Sequence, residues 1–157
     1  MGEDVTMQSV LPTDIVIHRP NGPFVAAVEV KNREGLTKDL AATLRRNLLA
    51  HGIISADVPF FLLVSQDQGF LWRNVGRPRL ELVPPDAEFP MLDVIRRYAP
   101  DALGERLRES ELESIVFSWL GDLSQSDRPS HSEPEATLDR LGFPDAVRGA
   151  FVTRQVA

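Results

Sequence analysis

The 157-residue chain has no cysteine, which excludes a disulfide framework, a thiolate metal site and a thiol nucleophile. Lysine is nearly absent as well: of the 17 basic residues only Lys31 and Lys38 are lysine, and the rest are arginine. No apolar run approaches the ~18 residues that cross a bilayer. The first ten residues carry neither a basic nor an apolar leader segment, so a secreted or membrane-spanning product is not expected. With no thiols to protect, a reducing cytoplasm is the expected location. At 43% hydrophobic and 25% charged, the composition is that of a folded domain and excludes a fully disordered chain.

The net charge of −6 argues at first against a polyanionic partner. Its distribution changes that reading. Residues 1–80 hold nine basic and eight acidic side chains, whereas residues 81–157 hold eight basic and fifteen acidic ones. The surplus acid belongs to the second half, where it suits solubility or a protein partner.

From residue 14 the chain reads DIVIHRPNGPFVAAVEVK. Two runs rich in apolar residues, 14–18 and Phe24–Val30, flank an Asn-Gly pair bounded by prolines, a strong hairpin signal. Neither run alternates cleanly with polar residues, so burial on both faces is expected. Residues 35–51 have a helical period, with Leu36, Leu40, Leu44 and Leu48 as the apolar stripe, Thr37 as N-cap and Gly52 as terminator. Strands are expected at 59–65 and 70–73, and an edge strand at 5–11. Beyond Pro84-Pro85, helices are expected at Leu92–Tyr98, 102–123, 135–141 and 144–156, with a polar linker at 124–134. The predicted organisation is an α/β core over residues 1–83 and a helical extension over 84–157 packed on it.

If the turn centres on Asn21-Gly22, Asp14 faces Glu29 and Arg19 faces Phe24. Alternation along a strand then puts Asp14, Glu29 and Lys31 on one face. Opposed carboxylates repel unless something compensates, and a hard divalent cation such as Mg²⁺ or Mn²⁺ would do so. A lysine beside it can orient or deprotonate the attacking water or offset charge on a phosphate.

Pro12-Thr13-Asp14 followed by Glu29-Val30-Lys31 on a hairpin resembles the PD-(D/E)xK nuclease superfamily, with its restriction-endonuclease-like fold: a mixed β-sheet flanked by helices. The phrase FLLVSQDQGFLWR is also similar to small bacterial members. The resemblance spans residues 11–73 and implies Mg²⁺- or Mn²⁺-dependent hydrolysis of DNA in a defence, repair or mobile-element setting. It implies Asp14 and Glu29 as metal ligands, the Val30 carbonyl as a third, and Lys31 as the catalytic lysine. Arg33, Lys38, Arg45 and Arg46 become candidate nucleic-acid contacts. The superfamily's leading helix has no room before Asp14, so its packing surface is expected from residues 102–123 or from a second subunit. RNA as substrate, and a catalytically silent nuclease-fold scaffold that dimerises or joins a larger complex, are the alternative readings.

The remaining motifs carry less. His18, His51 and His131 lack ligand spacing, Trp72 and Trp119 suit a core, and Glu109–Glu113 reads as a solvated helix face.

Overall fold

A computed structural model describes residues 13–73, 81–127 and 132–155. The expected edge strand at 5–11 and His131 lie outside them. The architecture follows from strand β3 (Phe60–Val64), FFLLV, which is buried throughout. Alternation sends Phe60, Leu62 and Val64 into one apolar cluster and Phe61 and Leu63 into another, so the sheet needs a layer on each side. β1 (Ile15–His18), β2 (Phe24–Val30), β4 (Gln68–Arg73), β5 (Ala87–Pro90) and β6 (Phe151–Arg154) complete a six-stranded sheet in the order β5-β4-β3-β2-β1-β6. β2 and β3 run parallel; every other neighbouring pair is antiparallel. The chain is therefore mixed α/β, with a mixed sheet flanked by helices.

The β1–β2 hairpin forms as expected. Asn21 takes a left-handed backbone (φ 51°), and Gly22 N–H donates to the Arg19 carbonyl at 3.1 Å. Ile15 pairs with Val28, Val16 with Ala27 and Ile17 with Ala26, the expected register. The register then slips by one residue, and His18, not Arg19, pairs with Phe24. Val25 is the extra residue of a β-bulge.

Between β2 and β3 lies α1 (Lys38–Ala50), capped by Thr37, whose hydroxyl accepts from the Leu40 N–H at 3.3 Å. The leucine stripe holds for Leu36, which is buried, and for Leu44 and Leu48, which pack partly buried against the cluster that contains it; Leu40 is the correction. The helix buries Ala41, Ala42, Arg45 and Leu49, while Leu40 is 52% exposed.

On the opposite face, α2 (Leu92–Tyr98), α3 (Glu109–Gln125), α4 (Glu135–Asp139) and α5 (Phe143–Val147) pack over the sheet. α3 buries Leu112, Ile115, Val116, Trp119 and Leu120 against Ile15, Ile17, Val28 and Val30. It starts later than expected. A 3₁₀ turn (Pro100–Ala102) and Gly104 at φ 85° interrupt the helical path, and Leu103 and Leu107 lie in a loop. The C-terminal helix expected over 144–156 is also corrected. α5 stops before Gly149 (φ 76°), and FVTR forms β6 against β1. Residues 84–157 are thus not purely helical: β5 and β6 both belong to the sheet of the first half.

Candidate functional site

Asp14 precedes Ile15, and Glu29 and Val30 close β2. Val16 and Ala27 enter the α1-side cluster. Alternation therefore carries Asp14, Glu29 and Lys31 to that same face. The Asp14 carboxylate accepts from the Val30 N–H at 2.8 Å, and its carbonyl accepts from the Gln155 N–H at 2.9 Å. These bonds tie the start of β1 to β2 and to the chain just past β6. Glu29 is 6% exposed and hydrogen-bonds to the Asp14 carboxyl. Lys31 Nζ stands 3.9 Å from Glu29, and the Lys31 N–H donates to the Val64 carbonyl at 2.9 Å.

Two acids in contact do not both ionise easily. Burial first, then the hydrogen bond to Asp14 and the Asp14 charge, push Glu29 up to about 8, against a lowering by Lys31. A divalent cation bound by the two carboxyls would compete with the proton that this environment favours on Glu29.

The sequence-derived nucleic-acid contacts do not converge. Arg33 is exposed beyond the end of β2. Lys38 Nζ lies 3.9 Å from Glu88 of β5, towards the other edge of the sheet. Arg46 is half-buried. Arg45 is 1% exposed on the sheet-facing side of α1, which removes it as a contact for an external phosphate.

A polar clasp beside the motif escaped the sequence reading. Asn32 Nδ2 donates to the Leu107 carbonyl at 2.5 Å, and its N–H donates to Glu109 at 3.3 Å. Arg106 bridges Asn32 Oδ1 (2.9 Å) and Asp67 (3.0 Å). Gln66 accepts from the Leu107 N–H at 2.9 Å and donates to the Glu105 carbonyl at 2.7 Å. The clasp pins the segment that follows Lys31 to the start of α3. Glu109 is committed here, Glu111 caps its own helix at the Arg108 N–H, and Glu113 pairs with Arg154 at 3.2 Å. The run 109–113 is therefore not simply a solvated face. Only the position of Asn32 directly after Lys31 hinted at any of this.

Two adjoining carboxylates suit Mg²⁺, which is commonly held by one or two carboxylates with water and phosphate oxygens. Among the described residues no group of three His, Cys, Asp or Glu side chains comes together as a cation cage. No described helix is long and apolar enough to cross a membrane. Comparison with protein-family models, with curated proteins and with solved structures returned no match.

Proposed function

We propose that this chain is a metal-dependent phosphodiesterase acting on DNA, built on a restriction-endonuclease-like core. The observation that carries the reading is the hydrogen-bonded Asp14–Glu29 pair on one sheet face, with the Lys31 ammonium 3.9 Å from Glu29. Burying Glu29 beside a second carboxyl costs stability, and groups shifted in this way gather at functional sites. The topology agrees with the reading. The helix between the parallel strands β2 and β3 follows the Glu-Val-Lys motif, and α3 lies over β1 and β2 where a leading helix would be needed.

Asp14 and Glu29 would hold Mg²⁺ or Mn²⁺, with the Val30 carbonyl as a further donor. Bound there, the cation supplies Lewis-acid polarisation of a phosphate and a more acidic water. The Asp14–Val30 hydrogen bond fixes one carboxylate oxygen and orients the group. Lys31 steers the attacking water and offsets charge on the phosphate, while the Asn32 clasp keeps the motif's end in place.

Asp14→Ala and Lys31→Ala should each lower Mg²⁺-dependent cleavage of a plasmid or oligonucleotide by ~100-fold or more. Mg²⁺ should raise the wild-type melting temperature but not that of Asp14→Ala. Equal cutting by both variants and wild type would overturn the assignment. A second reading, a nuclease-fold module that binds without cutting, is favoured by the charges around the motif. Among the described residues Lys38 is met by Glu88 and Arg106 by Asp67, so two of the cations near the motif are already paired and unavailable to a phosphate backbone. Mg²⁺ binding without cleavage would select it.

A further inference from the structure

On the α1 side of the sheet, residues 14, 16 and 18 of one strand share a face, and the pairing extends that face sideways. Val16 pairs with Thr153 of β6, and His18 pairs with Phe151 of β6 and Phe24 of β2. The bulge at Val25 makes this possible. In an unbroken register Phe24 would share the face of Ala26, Val28 and Val30 and point into the α3-side core. One extra residue turns it to the Glu29 side. Three aromatic rings therefore cross β6, β1 and β2 in a row: Phe151 to His18 at 5.7 Å and His18 to Phe24 at 6.3 Å between ring centroids. The imidazole is held in place, Nε2 at 3.3 Å from Thr153 Oγ1 and Nδ1 at 3.2 Å from the Arg19 carbonyl. Phe151 is 54% exposed, an unusual position for a phenyl ring with nothing described above it.

An open cavity of about 540 Å³ adjoins the row, lined by Val16, His18, Phe24, Thr153, Gln155 and Asn21 among others. His18 and Phe24 form its aromatic wall beside Val16 and Pro23; Thr153, Asn21 and Gln155 offer hydroxyl and amide groups, and its cationic lining residue, Arg19, is occupied. The Arg19 guanidinium donates to the Arg148 and Ala146 carbonyls, both at 2.7 Å. The cavity begins one same-face step from Asp14, and His18 lies two such steps away, about 13 Å along the strand.

We propose that this aromatic row is a stacking subsite for an unpaired nucleobase, so that the strand whose phosphate lies at Asp14 and Glu29 is single-stranded or locally melted. The inference rests on the cleavage reading for the identity of its ligand, and it adds what that site lacks. Base–aromatic stacking is sequence-tolerant and does not itself draw on positive charge, so it adds to a site where Lys38 and Arg106 are already paired with carboxylates. Bases inside a duplex are already stacked and cannot reach the row.

The test is a titration of the full chain, without divalent metal, by a single-stranded DNA of about six nucleotides, followed by NMR of the His18, Phe24 and Phe151 rings. These resonances should shift with the single strand, at least ~10-fold less tightly with its duplex, and not with inorganic phosphate. Phe151→Thr should weaken single-strand binding about 10-fold, the equivalent of about 1.4 kcal/mol, and leave the Mg²⁺-induced melting shift unchanged. Phe24→Leu, which keeps the apolar contact with the core, should weaken it likewise. Ring resonances that stay put at saturation, or a Phe151→Thr protein that binds as wild type, overturn the proposal. Concentration-dependent shifts of the same rings in the protein alone would give the face to a second copy of the chain and overturn it too. Single-strand binding with no response to Mg²⁺ would instead support the subsite and remove the cleavage reading.

Discussion

The two faces of one sheet are finished in different ways. On the α3 side, Ile15, Ile17, Val28, Val30 and Leu62 disappear under Leu112, Val116, Trp119 and Leu120, and Phe143 and Val147 close the end of the same cluster. On the other side, α1 meets Phe61, Leu63, Phe70 and Trp72 through Ala41 and Leu49, while the surface carrying Asp14, Lys31, His18 and Phe151 keeps access to solvent. Burial of apolar area is the main stabilising term of a domain. Both faces bury apolar side chains, but on the α1 side the cover over Phe61, Leu63, Phe70 and Trp72 gives way, towards the β1 and β6 edge, to poorly solvated acids and an exposed ring. This division places stability and chemistry on opposite sides of β1 and β2, one residue apart in sequence.

The sharpest way to break the comparison is to open the closed side. Trp119 is almost fully buried, its indole N–H donates to Glu135 at 2.9 Å, and its ring lies 6.4 Å from that of Phe89. Trp119→Ala should cost about 3–5 kcal/mol in urea denaturation, through lost contacts, an unfilled cavity and a buried carboxylate deprived of a donor. A loss below about 1 kcal/mol would mean that this face is not the stabilising layer.

The open side should answer to pH. Glu29 is raised from 4.5 to about 8 in the fold. The folded chain holds that proton more tightly than the unfolded one, so its stabilisation is complete below about 4.5 and is lost as pH rises towards 8. Glu29→Gln, which mimics the protonated acid, should match wild type in melting temperature near about pH 4. Near about pH 9 it should be more stable than wild type by on the order of 1–3 kcal/mol of unfolding free energy, with a higher melting temperature. Mg²⁺ should restore the wild type at alkaline pH and leave the variant unmoved. Parallel melting curves across the range would contradict a shared proton.

How much of this was legible depended on how local the cause was. Asn21-Gly22 and the β-branched runs around it declare the hairpin, and the register follows from the turn for three pairs. It fails at His18 because a bulge depends on the facing strand and on which core needs filling, and neither is written within the hairpin itself. The leucines of α1 recur every four residues, whereas a helix turns every 3.6, so such a stripe drifts around the cylinder. The buried side therefore runs through Ala41, Arg45 and Leu49, with Leu44 and Leu48 only partly covered and Leu40 turned to solvent. Phe151–Arg154 was misread because its strand exists only through pairing with β1, far away in sequence. Arg106 and Gln66 reach the motif through the fold alone. Of the candidate site, the three residues within the hairpin were legible, and their neighbours from α3 and β6 were not.

The finest comparison lies within β6, where adjacent residues face opposite sides. Val152 pairs with Ile17 and packs against the α3-side cluster, whereas Phe151 pairs with His18 and is largely in water. Val152→Thr places a hydroxyl against apolar neighbours and should cost about 1 kcal/mol. Phe151→Thr keeps the strand-favouring shape of the side chain and should change stability by no more than about 0.5 kcal/mol, measured in the same denaturation series. The order of the two numbers matters more than their size. If the smaller valine contributes more than the larger phenylalanine, edge strand β6 draws its stability from the α3 face alone. If Phe151 contributes as much as Val152, the aromatic row is part of the packing and the division between the faces does not extend to β6.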